Sequence, residues 1–492
     1  MLLRWNKIFV ILLLILYGEI SKGQEMLGTV FSNYSGINST IINPALMTGS
    51  KAYLDVNIIG ADVFVKNDWG YIPKEGDNIW DLISSDTISP LYGKFRYNGM
   101  YTYYKNTKPK SMVQSTRVMG PSAMLQTGKH AFGLSLSTRS VTTGNNIAYE
   151  IPVLAYEGLN YEELQNIVFD DYNFDFVSLT WTEISGSWAF DFKRFYKSKL
   201  SIGLNAKVML AHEGAYITNK NINYIVYDPE TIQIFNWDAE VGIALPVNYD
   251  STDVIYQGPL VKGMGAGFDI GFVYTRLKNN FPPSGSDKYC SKPYEEYLYR
   301  IGISLLDIGG VSLNKNTQKH SFDNVSVYWA EFDTVEYHNL NQTMEELSQV
   351  FYGDPDESKT ADKITIGLPT AISLQFETNM IKNVYLSALW IQPIRFNAKQ
   401  LRRPSQLAIV PRYENDWFAF SLPISILQYE YVRLGTAIRF GPLTIGTERL
   451  GILLGVTDLD GMDIYFSLKF SLKKGRCSKQ KWDACYTKDF GR

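Results

Sequence analysis

The sequence predicts an all-β fold: a transmembrane antiparallel up-and-down β-barrel of about 14 strands. Three observations carry that prediction. Strand-length segments alternate apolar and polar residues along most of the chain, as in MDIYFSLKFSL from Met462 to Leu472. Short and long connections alternate between those segments. The chain opens like an exported protein, and no later apolar run is long enough for a spanning helix.

The opening MLLRWNKIFVILLLILYGEISKGQ has a basic start (Arg4, Lys7), an apolar run and small residues Ser21 and Gly23. It reads as a signal peptide over 1–23, cleaved after Gly23. Residues 24–50 are small and polar, with no sustained period, and are expected to form an N-terminal hatch or plug folded into the lumen. The barrel is assigned to 51–473 and a periplasmic C-terminal tail to 474–492. A net charge of -3 over 492 residues offers no footprint for nucleic acid. The 33 tyrosines suit strands and the interfacial belts of a membrane barrel.

In order, the fourteen candidate strands are 51–66, 112–126, 130–142, 176–191, 199–211, 263–277, 297–313, 363–377, 383–396, 404–414, 417–427, 431–440, 442–447 and 462–472. Gly60 marks a bulge in the first. Thr127-Gly128-Lys129 is a tight turn. The connection 143–174 carries a helical-looking YEELQNIV, and 212–262 carries its own hairpin (INYIVYD, TIQIFNWD). The connection 314–362 includes an amphipathic TMEELSQVF. A soluble sandwich has no reason to gather every long loop at one end. The last strand is expected to pair with the first and remove both sheet edges.

Arg139, Asn205, Lys207, Arg300, Arg412, Arg433, Arg439 and Lys469 lie opposite the aliphatic stripes. A charge facing lipid at mid-strand costs about 2–4 kcal/mol, so these residues are assigned to the lumen. In GMGAGFDIG the glycines Gly263, Gly265, Gly267 and Gly271 share one face of a strand. A dinucleotide fingerprint would need a helix after them. A bare inner face instead leaves room for something to approach the wall, and 24–50 is the obvious candidate.

Four histidines (His130, His212, His320, His338) form no metal-binding or hydrolytic motif, and no enzyme activity, metal or cofactor is predicted. Of the three cysteines, Cys477 and Cys485 are spaced for a local disulfide, while Cys290 paired with either is the other arrangement.

The run INPALMTGSKAYLDVNIIG resembles the start of FadL-type long-chain fatty acid channels and of the related PorV-type barrels. VMGPSAMLQTGKHAFGLSLSTRS, YRIGISLLDIGGV, LAIVPRYENDWFAFSLPIS and RLGTAIRFGPLTIGTERLGILLGVTDLDGMDIYFSLKF resemble a Bacteroidota family of outer-membrane barrels of unknown function. The resemblance implies a fourteen-stranded barrel with a hatch, to which Asn43, Pro44 and Ala45 would belong. It also implies an outer-membrane location in contact with lipid, and passage of hydrophobic or amphipathic small molecules. The tail departs from a barrel that ends at its last strand. The alternative is a non-transporting partner barrel, PorV-like, whose loops or tail dock an envelope protein. The arginine-rich inner face argues mildly against a greasy ligand.

Overall fold

The computed structural model describes residues 25–74, 102–250, 258–279, 294–332 and 339–473. The expected signal peptide, the tail, and Cys290, Cys477, Cys485 and His338 lie outside the described residues.

Fourteen antiparallel strands form the barrel wall. They are β1 Ala52–Asn67, β2 Lys110–Met119 continued as Ser122–Thr127, β3 His130–Ile147, β4 Asp175–Phe195 and β5 Ser198–Asp228. Next come β6 Gly263–Leu277, β7 Tyr297–Leu313, β8 Ile364–Gly367 continued as Ala371–Ile381, β9 Val384–Pro393 and β10 Gln406–Glu414. The last four are β11 Phe418–Ser421 with Ile424–Leu427, β12 Tyr431–Leu434 with Thr436–Phe440, β13 Leu443–Thr447 and β14 Gly461–Lys473. Each pairs with its sequence neighbours, and β14 pairs with β1 from Ala52↔Lys473 to Lys66↔Gly461. The sheet is closed and has no free edge.

Breaks in the strands follow the sequence. Pro121, Pro369 and Pro423 each lie where a strand is interrupted, since proline cannot donate to the ladder. The bulge in β1 lies at Ile58, where the register slips between Asn57 and Ile59, while Gly60 pairs regularly with Ser467. Ile58 and Ile59 consequently both face outward. The slip also turns Asp62, Phe64 and Lys66 inward, as an unbroken alternation from Asp55 and Asn57 would not.

Outward faces carry a continuous apolar band, including Leu134, Ile184, Val208, Phe268, Ile301, Phe376, Ile409, Ile445 and Phe470, all exposed. A soluble monomer rarely exposes so wide an apolar surface, whereas lipid requires one. Inward faces carry charges: Arg139, Lys207, Arg300, Arg412 and Arg433 are buried in the lumen.

At the long-loop end the wall is uneven. β5 runs for 31 residues, well past 211, and forms a hairpin with Thr231–Ala244, which pairs in turn with Gln318–Trp329. Two helices pack on this cap. α1 is Glu150–Glu157, and α2, Leu340–Tyr352, covers the expected TMEELSQVF. YEELQNIV is not a helix: it forms a 3-10 turn, Glu162–Leu164, and then enters the strand Val168–Tyr172. Pairing of that strand with β5 supplies backbone partners that outweigh its helical pattern.

The two largest apolar clusters fill parts of the lumen. One gathers Val177, Leu179, Trp181, Val311, Leu313 and Ile366 with Leu368 and Leu401, which fold inward from a strand break and a connection. The other joins Leu27, Val30, Phe31 and Ile42 of the N-terminal segment to Leu389, Ile391, Val410 and Tyr465 of the wall.

Candidate functional site

Residues 26–50 lie inside the barrel as one helical turn, Leu27–Val30, and two 3-10 helices, Gly36–Ile41 and Pro44–Gly49. Nearly all are buried. Asn43 caps the last of these helices: its Oδ1 accepts from the Ala45 amide at 2.9 Å. Its Nδ2 donates to the Phe272 carbonyl at 3.2 Å, the Ile303 carbonyl at 3.3 Å and Gln375 Oε1 at 2.9 Å.

Pro44 and Ala45 then press on bare wall. A Cβ at Gly203 would collide with Pro44 C and Ala45 N and one at Gly271 with the Asn43 side chain, while one at Gly302 would meet Gln375 Oε1 first and lie 3.0 Å from Asn43 Nδ2. Gly203 and Gly271 are directly paired across β5 and β6. Of the glycine stripe in β6, only Gly271 belongs to this seat. Gly263 and Gly265 lie against the β7 backbone at Ser312 and Gly310, and Gly267 against Leu368. Those three glycines admit the neighbouring strand and an inward loop, not the N-terminal segment.

Polar ties fix the segment around its edge. Leu27 N donates to Glu448 Oε1 at 3.0 Å, Gly28 N to the Tyr465 hydroxyl at 3.0 Å, and Ser32 Oγ to Glu414 Oε2 at 2.8 Å. Arg300 Nη2 donates to the Gly49 carbonyl at 2.9 Å, and Lys469 Nζ to that of Ser35 at 2.7 Å. Arg300 and Arg412 share Glu377 at 3.5 and 2.7 Å. Arg439 lies over the Tyr34 ring, 4.7 Å from its centroid.

Above this floor, toward the long loops, one carboxylate gathers three cations. Asp307 meets Arg139 at 3.0 and 3.2 Å, Lys207 at 2.5 Å and Arg403 at 2.7 Å. It sits in a bulge of β7, with φ 51° at Asp307 and 144° at Gly309, and its amide donates to Asp269 Oδ1 at 2.6 Å. Lys207 also meets Asp269 at 2.9 Å, and Glu183 lies 3.6 Å from Arg139. The sequence pointed to the cations and missed the acids. The one available signal was LDIGG, an Asp before paired glycines at mid-strand.

Two adjoining clefts open beside this knot. The larger, about 540 Å³ with the open solvent at its mouth included, is lined by Glu25, Asp62, Arg117, Arg139, Arg402 and Arg403, with Val113, Val141, Pro369 and Pro404 as apolar wall. The second, about 400 Å³, shares Arg117 and Arg403 with it and has Thr40 and Ile41 of the N-terminal segment in its lining. Together they form a charged chamber over the seated segment. No group of three His, Cys, Asp or Glu side chains that could hold a metal ion occurs among the described residues.

The chain is similar in structure to several membrane channels. These include the toluene transporter TbuX of Ralstonia pickettii (10% identity, TM-score 0.41, covering 93% of this chain and 100% of that one). A FadL homologue of Pseudomonas aeruginosa matches with 11% identity and a TM-score of 0.38, covering 91% of this chain and 97% of that one. The toluene transporter TodX of Pseudomonas putida matches with 12% identity and a TM-score of 0.31, covering 90% of this chain and 95% of that one. No curated protein matches the sequence. Residues 44–448, which take in the Pro44-Ala45 seat and thirteen of the fourteen strands, match a family of unknown function (DUF5723), and the chain belongs to that family.

Proposed function

We propose that the protein is an outer-membrane conduit for small molecules, closed at rest by residues 25–50 acting as a hatch. The observation that carries this is the seat of Asn43-Pro44-Ala45 on Gly203, Gly271 and Gly302. A segment meant only to lead into the first strand needs no glycine-floored recess in three separate strands. The hatch is held by hydrogen bonds and ion pairs to the wall, so it can leave without breaking a covalent link. Solutes enter from the long-loop end, wait in the charged chamber, and leave past the displaced hatch toward the periplasm. The lining of arginines and carboxylates favours an amphipathic or charged solute over a purely hydrophobic one.

Single-channel conductance of the full chain and of a 25–42 deletion in planar bilayers tests this. The full chain is expected to be nearly closed and the deletion open. A deletion that stays closed sinks the proposal.

A further inference from the structure

The charges lining the larger cleft are almost all satisfied by one another. Arg139 and Arg403 hold Asp307, Arg402 holds Asp175 at 2.8 Å, and Arg403 also meets Glu25 at 3.2 Å. Two are not. Asp62 is 2% exposed and lines the cleft, and its Oδ1 has no hydrogen-bond partner. Arg117, its direct partner in the β1–β2 register, lines both clefts. Among the described residues, neither side chain makes a hydrogen bond or an ion pair with the other or with any third group.

Opposite charges about 5 Å apart at Cβ on adjacent strands ordinarily pair. Here each is aimed into the cleft instead. A buried charge left without a partner is unfavourable, so an occupant would have to answer both signs. The surroundings extend both poles. Glu25 Oε2 is a second unpartnered acceptor on the acidic side, and the Nε atoms of Arg139 and Arg402 are unpartnered donors on the basic side. Val113, Val141, Pro369 and Pro404 add an apolar wall.

We propose that this cleft binds a small zwitterion bearing a free ammonium and a free carboxylate, an amino acid or short peptide, with Asp62 taking the ammonium and Arg117 the carboxylate. A guanidinium presents two parallel N–H donors to a carboxylate, and a carboxylate oxygen accepts from an ammonium. The apolar wall takes a small aliphatic side chain. The proposal deepens the conduit reading by naming its solute, and its physiological meaning rests on that reading.

Calorimetric titration of the detergent-purified full chain tests it, using alanine, alanyl-alanine, N-acetyl-alanyl-alanine and alanyl-alanine amide as probes. At least one unblocked probe is expected to bind saturably; which one does distinguishes amino acid from peptide. Blocking either end of the dipeptide should weaken binding at least tenfold if the site takes peptides, and alanine methyl ester and N-acetyl-alanine serve the same purpose if it takes amino acids. Asp62→Asn should erase the penalty for acetylation, and Arg117→Gln the penalty for blocking the carboxylate. Heat-modifiable migration reports whether each variant is folded; if one is not, the blocked probes on the unaltered chain decide. Absence of saturable binding by both unblocked probes, or a penalty at one end only, overturns the proposal. Binding is read without passage through the barrel, so this test and the conductance test fail independently.

Discussion

The floor and the chamber of the same lumen are built on opposite terms. Below, the N-terminal segment meets glycine and backbone at van der Waals range, and Asn43 spends both its amide ends on fixed partners. Above, charged side chains line open clefts, and Asp62 and Arg117 have no partner among the described residues. Steric fit without slack holds a segment in one place; charge without a partner holds a place open for something else. Asp307 lies between the two and belongs with the floor, because its three cations are all engaged. Replacing it breaks the contrast most severely. Asp307→Asn removes the carboxylate that Arg139, Lys207 and Arg403 share and leaves them to Glu183, Asp269 and Glu25, and should cost roughly 3–5 kcal/mol. Urea titration of the barrel refolded into lipid vesicles measures it. A loss under about 1 kcal/mol would mean that water already screens the knot.

The seat is the next place to press. Gly203→Val sets a branched side chain where Pro44 C and Ala45 N now lie, and neither can yield without moving the helix Pro44–Gly49. Overpacking of this kind costs about 1–3 kcal/mol. Expelling the segment relieves it, so the variant should conduct like the 25–42 deletion. Gly186→Val is the matched control, since nothing lies within 4 Å of a Cβ there. Equal conductance of the two variants would separate the seat from closure.

How far the sequence reaches differs between wall and lumen for the same reason. Strand existence follows from period-two alternation and loop length, which are local, so fourteen strands and the inward charges Arg139, Lys207, Arg300 and Arg412 were legible. What fills the lumen depends on which strands face one another across it. Gly263, Gly265 and Gly267 look like a recess in sequence, yet β7 and Leu368 occupy it. The true seat draws one glycine from each of three strands. Its trace was present: Gly203, Gly271 and Gly302 each follow an isoleucine and precede an apolar residue, in SIGL, DIGF and RIGI. The Asp62–Arg117 pairing was hidden by the bulge at Ile58, which alone decides that Asp62 points inward.

A smaller effect should appear in the cap at the long-loop end, which shares neither the floor's steric lock nor the chamber's lipid setting. Burial and a hydrogen bond with Asp171 push the Glu150 carboxyl up to about 8. The folded cap therefore keeps a proton that the unfolded chain releases from its ordinary carboxylate range upward. The contribution is complete in acid and is lost as pH rises toward 8. His320 has the opposite sign: burial, with Lys359 nearby, lowers it to about 4. Its contribution is complete above the ordinary histidine range near 6.5 and is lost as pH falls toward 4. Hydrogen exchange of residues 149–172 should speed up between pH 6 and 8, and Glu150→Gln should flatten that limb while leaving the acid limb of 318–329 unchanged. Parallel limbs in both segments would show that the cap opens as one unit.

The smallest expected change closes the comparison between paired and unpaired carboxylates. Asp62→Asn removes a buried charge that contacts no cation, so the free energy of unfolding read from urea titration should fall little if at all. Relief of an uncompensated charge can even raise it. Asp307→Asn, at similar burial, should differ by several-fold more. The two carboxylates sit in the same lumen, so solvent exposure cannot account for the gap; only their partners can. If Asp62→Asn costs as much as Asp307→Asn, Asp62 is engaged with Arg117 in the membrane-embedded chain, and the chamber is held closed by its own charges instead of standing ready for those of a ligand.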